Sequence, residues 1–396
     1  MQRKFITVLA AFIAFYNCPL QAQHIGSTAS TPKTYKVAIF APLYLDSVFT
    51  ENSYRYSRNF PRFVLPGLDF VQGAQIALDS LQLPNTSIVA SIYDSKSEKE
   101  NIDSLIANNK LNKIDLIIGS VRDDEYTQLA NFALQQNIPF ISATFPNDAG
   151  VTGNPFLVIV NSTLRAHCEA IYAYLLQNHG TDKILLCRKP GSQEDKVAGY
   201  LKKMNEPDGK PLLNFQTINI SDSNFNAVKY KLDSTKKNII IGASLDEYFA
   251  YNLSSELASL KKTYPSTLIG MPNWEGFRAF NKKNSFSGYP VYYTAPYYNT
   301  RWDTYSKMIQ GIYLKKYKGV PTDYTYKGFE TAYLFIKLLT AYPDDFMSHL
   351  NENPSKIIND YNFKPVFNNG NAKPDYFENK HLYFLKVENG KVSKAW

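Results

Sequence analysis

The stretch from residue 114 to residue 146 constrains the fold more than any other part of the chain. It opens with an apolar run at 114–118, which ends at Gly119 and Ser120 and is typical of a strand buried on both faces of a parallel sheet. Acidic and then apolar residues at helical spacing follow, and a second apolar run lies at 138–141. The pattern predicts a strand, a crossover helix and a second, parallel strand.

The two loops that follow these strands form a first candidate site. A right-handed crossover returns the chain in the same direction, so both loops emerge at one edge of the sheet, where open α/β sheets bind their ligands. Small hydroxyl residues and backbone amides in these loops suit a small polar ligand, although Ser and Thr are also ordinary turn and cap residues. The residues concerned are Ser120, Val121, Ser142, Ala143 and Thr144.

The same alternation of strands and helices occurs twice along the chain. In the first unit, further strands are predicted at 36–42, 87–94 and 154–161, and helices at 67–81, 98–111 and 164–179. In the second unit, strands are predicted at 183–187, 215–220, 238–241 and 267–271, and helices at 195–204, 225–236 and 247–264. An extended segment at 291–296, helices at 302–317 and 328–342, and a hairpin around Asn389 and Gly390 complete the chain. The predicted fold class is α/β, with two doubly wound parallel-sheet lobes.

The N-terminus has the pattern of a cleaved secretory signal. Two basic residues precede a mostly apolar stretch at 5–16, and small residues stand before Gln23. A signal peptide is therefore predicted at 1–22, with a periplasmic destination for the mature chain. Lipid anchoring at Cys18 is the alternative, but Tyr16 and Asn17 before it are not the small residues that a lipidation site requires.

Charge and composition exclude some classes of function. The net charge of +8 comes from Lys residues that occur at most in pairs, which favours a solvated surface over a nucleic-acid-binding stripe. The five His residues show no metal-ligand spacing, and no phosphate-binding loop or nucleophile elbow occurs. Neither a metal nor a cofactor is predicted, and an enzyme is disfavoured, although a catalytic triad assembled only in space stays open.

Two features leave alternatives open. Cys168 and Cys187 fit either a disulfide or two buried thiols, because the sequence alone does not bring their Cα atoms within bridging distance. The irregular stretch at 43–66, rich in Tyr and Arg, is longer than an ordinary connection and is either functional or a surface insertion.

The chain resembles the type I periplasmic binding proteins, which share their fold with Leu/Ile/Val-binding proteins and receptor ligand-binding regions. The motifs that carry the resemblance are GLDFVQGAQIALDSL at Gly67, VASIYDSKS at Val89, DLIIGSV at Asp115, IPFISATFPND at Ile138, and FNNGNAKP and HLYFLKVENGKV near the end. Their spacing is most similar to the Bacteroidetes-type version. The resemblance implies an interlobe hinge, with lobe 1 at 35–162 plus 297–342 and lobe 2 at 163–296 plus 343–396. The chain would cross between lobes near 161–163, near 293–296 and after Tyr342.

The resemblance also implies a function. It indicates a secreted solute-binding protein that closes on a small polar ligand, an amino acid or related compound, and has an inner-membrane ABC permease as its partner. Contacts from lobe 2 would come from Arg188, Ser244, Asp246, Asn273, Trp274 and Glu275. Asp246 or Glu275 would hold a ligand amine, and Trp274 or Tyr248 would cover an apolar side chain.

Two other functions stay open. Val121 and Arg122 replace the Ser/Thr-rich carboxylate loop that is typical of amino-acid binders in this family. An envelope scaffold or regulator of cell-wall synthesis, with a cell-wall component as its partner, is the first alternative. A hydrolase with an unrecognised site is the second.

Overall fold

The computed structural model describes residues 32–50, 53–56, 60–221, 224–352, 356–368 and 372–396. The predicted signal peptide and Cys18 lie outside the described residues. Within these ranges, no helix is both long enough and apolar enough to cross a membrane.

Strands and helices alternate through most of the described chain. The first part contains β1 (Lys33–Ala41), α1 (Leu45–Val48), β2 (Phe49–Thr50), β3 (Ser53–Tyr54), α2 (Leu65–Ser80), β4 (Thr86–Asp94), α3 (Ile102–Ala107), β5 (Leu116–Gly119), α4 (Asp123–Gln136), β6 (Phe140–Ser142) and β7 (Leu157–Ile159). The middle part contains α5 (Leu164–Asn178), β8 (Lys183–Arg188), α6 (Ser192–Asn205), β9 (Asn214–Asn219), β10 (Asn238–Gly242), α7 (Glu247–Leu260), β11 (Ser266–Ile269) and β12 (Val291–Ala295). The last part contains α8 (Thr304–Tyr317), α9 (Asp323–Ala341), β13 (Phe363–Val366), β14 (Tyr376–Asn379), β15 (Tyr383–Glu388) and β16 (Lys391–Lys394).

The first sheet has the strand order β13-β14-β7-β6-β5-β1-β4 and is parallel except between β13 and β14. Successive residues of β1 point to opposite faces, so that Val37 and Ile39 pack with α2, α8 and α9, whereas Ala38 and Phe40 pack with α3 and α4. Helices therefore cover both faces, and both faces exclude water, which explains why its central strands are apolar throughout.

The second sheet has the strand order β16-β15-β12-β11-β10-β8-β9. Its strands are parallel from β9 to β12, and β15 and β16 add an antiparallel edge. Helices α5, α6 and α7 contribute to the same apolar core. Each sheet with its helices forms one lobe, which confirms the predicted fold class.

The division of the C-terminal part between the lobes differs from the prediction. Strand β14 pairs in parallel with β7 of the first sheet, and β13 extends that sheet. Phe346 and Ile358 also pack in the core of the first lobe. The assignment of 343–396 to lobe 2 is therefore wrong for the part that ends at Asn379, and the third crossing lies at 380–382 rather than directly after Tyr342. Both strands have only four residues and include charged or Pro residues, so no apolar run marks them in the sequence.

Two further differences concern local structure. A 3-10 helix at Phe225–Lys231 replaces the predicted helix at 225–236, and only Val228 of that turn is buried. Cys168 and Cys187 are free thiols, and burial raises the pKa of each to about 12. They are apolar core residues of the second lobe rather than a disulfide.

Helices α2 and α9 approach each other closely enough for their backbones to touch. A Cβ atom on Gly73 would lie 2.0 Å from the carbonyl oxygen of Thr325, and one on Gly328 would lie 2.0 Å from that of Phe70. Only glycine fits at such a distance. This contact sets the position of α9, whose first turns face the second lobe.

Hydrogen bonds join the segments that cross between the lobes. At the first and third crossings, Ser162 Oγ donates to Asn379 O at 2.6 Å, and the Thr163 amide donates to Glu378 Oε1 at 2.7 Å. At the second crossing, the Tyr298 amide donates to Asn359 Oδ1 at 2.7 Å. Asn359 in turn donates to Glu330 on α9 at 2.7 Å, so the second crossing is tied to the first lobe.

Candidate functional site

A cavity of about 810 Å³ lies between the lobes beside the second crossing. The second lobe contributes Glu275, Gly276, Asn281, Leu385 and Val392 to its wall. The second crossing and the first lobe contribute Tyr297, Tyr298, Asn299, Thr300, Arg301, Trp302, Asp323, Tyr326, Lys327, Glu330 and Asn359. Its volume is within the range of small-molecule sites, and both lobes line it.

A smaller cavity of about 410 Å³ lies at the carboxyl ends of the first sheet's strands. Three predicted site residues line it, namely Ser120, Val121 and Thr144. Their companions are Pro42, Tyr44, Phe63, Pro66, Ser95, Lys96, Arg122, Phe145, Pro146 and Tyr324. The 43–66 stretch therefore reaches this cavity through aromatic side chains, and Tyr44 and Phe63 form an edge-to-face pair with centroids 5.1 Å apart.

The hydroxyl groups of this smaller cavity already bond to each other. Ser120 Oγ and Thr144 Oγ1 lie 3.0 Å apart, and Asn161 donates to the Thr144 carbonyl at 2.6 Å. Val121 is buried and packs in the core with Phe145 beside it. The strand ends of the first lobe thus present fewer open hydrogen-bonding groups than their sequence indicates.

Ser142 and Ala143 lie beneath the surface of the loop rather than on it, since both are fully buried. The Ala143 carbonyl accepts a 2.8 Å hydrogen bond from Tyr297, which belongs to the wall of the larger cavity. Among the described residues, Ser142 Oγ has no hydrogen-bond partner. The loop was expected to bind a ligand through backbone amides and hydroxyls, but the Ser142 hydroxyl is buried and the Ala143 amide donates to the Gly119 carbonyl at 2.9 Å. The Ala143 carbonyl instead links the two cavities.

Most predicted residues of the second lobe already bond to neighbouring protein groups. Ser244 donates to Glu194 at 2.6 Å, and Asn273 donates to the Leu245 carbonyl at 2.6 Å. Arg188 pairs with Asp195. These contacts use the groups that were expected to bind a ligand, and Arg188, Ser244 and Asn273 line neither of the two cavities.

Trp274 is a core residue, which corrects its predicted role as an aromatic cover. Its side chain is fully buried, contacts Phe280, and fills the space above Gly242 and Gly270. The indole Nε1 donates to the Ser244 carbonyl at 2.8 Å. An apolar ring next to two glycines at strand ends is a packing arrangement, and the Trp side chain has no surface left for a ligand.

The two candidate acids for a ligand amine have different surroundings. Asp246 caps α7 by accepting from the Phe249 amide at 2.7 Å, and it pairs with Lys189 at 3.0 Å. Its pKa is lowered because these bonds outweigh the effect of partial burial. Glu275 has no hydrogen bond or ion pair through its carboxylate within the described part of the chain, and it faces the larger cavity. Of the two acids, only Glu275 is left for a ligand.

Among the described residues that line the larger cavity, one acid and one base have no ion-pair partner. Arg301 and Asp323 pair with each other at 2.8 Å. Glu330 is buried and accepts hydrogen bonds from the Ile358 and Asn359 amides and from the Asn359 side chain. The remaining charged residues are Glu275 and Lys327, from opposite lobes.

The Glu275 side chain is exposed and the Lys327 side chain is half-buried, and neighbouring protein atoms make the surroundings of both groups less polar than water. This desolvation raises the pKa of Glu275 above its ordinary value, and Lys327 partly offsets the effect. Desolvation likewise lowers the pKa of Lys327, while Glu275 and Asp323 act in the opposite direction. Each group would return toward its ordinary pKa if an opposite charge entered the cavity.

The sequence prediction missed Lys327, Tyr297 and Tyr326. Lys327 lies in the second turn of α9, ahead of the predicted helix start at 328. A capping signal was available, because Thr322 and Thr325 form a capping box at the true start. Tyr297 and Tyr326 carry no motif, and only the packing of the two lobes places them in one cavity.

Comparisons with known proteins agree with this architecture. A candidate branched-chain amino acid ABC transporter from Rhodospirillum rubrum is similar with a TM-score of 0.64 and 11% identity, over 92% of this chain and 99% of that one. An ABC transporter substrate-binding protein from Desulfitobacterium hafniense is similar with a TM-score of 0.58 and 11% identity, over 92% of this chain and 100% of that one. Another from the same organism, in complex with Leu, has a TM-score of 0.56 and 12% identity, over 92% of this chain and 100% of that one.

These identities are low, so the similarity shows the fold. No curated protein matches the chain by sequence. The family model described as periplasmic binding protein matches residues 65–390, which include all three crossings and most of both lobes. The chain therefore belongs to the periplasmic binding protein family, in its two-lobed type I form.

Proposed function

We propose that this protein is an exported solute-binding protein that captures a small polar ligand, an amino acid or a related compound, between its lobes. The observation that carries the proposal is the cavity of about 810 Å³, which both lobes line and in which the Glu275 carboxylate faces open space. The Glu275 side chain is exposed and has no partner in the described part of the protein, so its carboxylate is available to accept a charge-assisted hydrogen bond from a ligand ammonium. Glu275 is the residue proposed to make that bond.

The position of the cavity supports closure around the ligand. It lies beside the second crossing, where Tyr298 and Asn359 fix the chain to the first lobe. A rotation about the three crossings would move Glu275 toward the first lobe, because that residue lies on the second. An inner-membrane ABC permease that recognises the closed form is the proposed partner.

An envelope scaffold that has kept the fold without binding a ligand is the second candidate. A scaffold has no need of an open cleft, and its own side chains would be expected to fill the space between the lobes. The open cavity and its unpaired charges favour the solute-binding function over this candidate.

A screen with ligand-free protein tests the proposal. The chain is unfolded in guanidinium chloride, dialysed to remove any bound solute and refolded, and its thermal stability is then measured with amino acids, short peptides and muropeptides. A ligand at 100 times its Kd should stabilise the protein by about 2.7 kcal/mol. The stabilisation should be lost in Glu275→Gln.

Stabilisation by none of these compounds, in a chain that refolds normally, would favour the scaffold. Stabilisation that persists unchanged in Glu275→Gln would show that the ligand binds elsewhere. Asp246→Asn is the matched control, because Asn also caps helices well and Asp246 lines neither cavity.

A further inference from the structure

Lys327 is a half-buried base without a counter-ion. Within the described residues, no carboxylate lies in ion-pair contact with its ammonium group, whereas Arg301 on the same wall pairs with Asp323. Its Nζ atom lies 4.2 Å from the centroid of the Tyr297 ring and 5.8 Å from that of Tyr324. Contact with aromatic faces compensates only part of the cost of removing an ammonium group from water.

The position of Lys327 directs this charge toward the cavity. It lies on α9, one residue before the glycine that fixes that helix against α2, so its backbone has little freedom to move. Tyr297, the ring beneath its ammonium group, is itself held by the 2.8 Å bond from its hydroxyl to Ala143. The helix backbone at Lys327 and the Tyr297 ring are thus both held in place. The open side of the Lys327 side chain faces the cavity.

The strand ends of the first lobe are poorly suited to hold a carboxylate. Ser120 and Thr144 bond to each other, Val121 is buried, and Ser142 lies in the core. Lys96, in the smaller cavity, is already paired with Glu125 at 2.5 Å. Lys327 is the remaining half-buried cation of the two cavities, since the Arg122 side chain is 69% exposed.

We propose that Lys327 binds an acidic group of the ligand, so that the cleft selects zwitterions whose carboxylate meets Lys327 on the first lobe while their ammonium meets Glu275 on the second. This inference rests on the proposed function. It adds the requirement for an acid and assigns that requirement to a residue on α9 rather than to the strand-end loops. Simple amines, neutral sugars and cations are then poor ligands.

The test compares acids with their carboxamides by isothermal titration of the refolded, ligand-free full chain. The twenty L-amino acids are titrated first, each beside its carboxamide, which keeps the ammonium and lacks the acid, and its N-acetyl derivative, which keeps the acid and lacks the ammonium. Wild type should bind the best acid about 10- to 100-fold more tightly than its carboxamide, the factor that a hydrogen bond to a charged group supplies.

Lys327→Met should reduce the affinity for the acid by that same factor and leave the affinity for the carboxamide unchanged. Lys327→Arg keeps the charge and should retain much of the preference for the acid. Lys337→Met is the matched control, because Lys337 is a half-buried lysine of the same helix, over Tyr333 at 5.3 Å, and lies outside the cavity. Its affinities should equal those of wild type.

Three results would overturn the inference and leave the proposed function intact. One is equal binding of acid and carboxamide by wild type, which requires no variant to fold. Another is a best ligand that has no acidic group. The third is a Lys327→Met variant that binds acid and carboxamide more weakly by the same factor, as expected if Lys327 only pairs with Glu275 when the lobes close. Binding of none of the compounds by wild type would instead reject the proposed function, and this inference with it.

Discussion

Asp246 and Glu275 show how local bonds decide which side chain remains for a ligand. Both are acids at strand ends of the second lobe, and the sequence alone does not distinguish them. Asp246 is followed by a helix, so the unpaired amides of the first turn of α7 use its carboxylate. Glu275 lies in a short 3-10 helix that has no side-chain capping bond, and its carboxylate faces the cavity.

Substitution of Asp246 should therefore lower stability, whereas substitution of Glu275 should lower ligand affinity. Asp246→Ala removes a helix cap and should lower the free energy of unfolding by about 1 kcal/mol, with ligand affinity within twofold of wild type. Glu275→Gln should leave stability nearly unchanged and weaken the ligand by at least about tenfold. Urea denaturation and isothermal titration measure the two quantities. A large loss of affinity in Asp246→Ala, at unchanged stability, would contradict this division.

At the scale of elements, the contact between α2 and α9 leaves no space for an added side chain. Gly73 and Gly328 each oppose a backbone carbonyl of the other helix, so there is no space for the methyl group of an alanine at either position. The helices would have to separate, and α9 would carry Lys327 and Glu330 with it. Stability and site geometry thus depend on the same contact.

Gly73→Ala and Gly328→Ala should each lower the free energy of unfolding by about 1 to 3 kcal/mol or more, as for overpacked cores. Gly311→Ala, in α8, is the control, because nothing lies within 4 Å of its added Cβ atom. That change should stabilise the chain by up to about 1 kcal/mol, since Ala is the better helix former. Denaturant unfolding of the three variants measures the difference. Equal effects at all three positions would show that helix propensity, rather than the close contact, controls stability.

Most elements were predictable from the sequence because each sheet is buried on both faces. Apolar runs such as 114–118 and 238–241 have no other environment to occupy, and the predicted strands lie within a few residues of β5 and β10. The terminal hairpin was also predicted, because an Asn-Gly pair is typical of a two-residue turn. Asn389 and Gly390 both have the positive φ that such a turn requires. Strands β13 and β14 were not predicted, because each has only four residues and includes charged or Pro residues, so neither contains an apolar run.

The site was less predictable than the fold. Ser120, Thr144 and Glu275 do line the two cavities, as position at strand ends indicates. Ser244 and Trp274 follow equally good strands and are buried, because the Glu194 side chain bonds to the Ser244 hydroxyl and the Ser244 carbonyl bonds to the indole. Strand order determines which loops lie at an edge, but hydrogen bonding between distant residues determines which side chains stay open, and a single sequence does not contain that information.

At the scale of the whole molecule, His167 lies where the crossings meet. It belongs to α5, and its Nδ1 atom lies 2.7 Å from Thr294 Oγ1 on β12. The positive charge of Lys380, in the third crossing, disfavours a proton on the His167 ring. Lys380 is itself paired with Glu169 at 2.8 Å and Glu378 at 2.6 Å. A proton on His167 would thus add a buried positive charge to the junction between the lobes.

Burial lowers the pKa of His167 from its ordinary value of 6.5 to about 3, so the folded protein keeps this ring neutral. Between these pH values the unfolded chain binds a proton that the folded chain excludes. Its contribution to the free energy of unfolding should be constant above pH 6.5 and decrease as the pH falls below that value, by up to about 1.4 kcal/mol per pH unit.

His167→Gln keeps a hydrogen-bonding group toward Thr294 and cannot titrate, so its stability should fall less steeply between pH 6.5 and pH 4 than that of wild type. Thr294→Val removes the bonding partner but keeps the imidazole, and should cost about 1 to 3 kcal/mol at pH 7.5 without changing the slope. Urea unfolding at a series of pH values measures both, and the difference from wild type cancels the other titrating groups. Parallel curves for wild type and His167→Gln would mean that His167 takes up its proton as readily in the folded protein as in the unfolded chain, and that the junction between the lobes tolerates that proton.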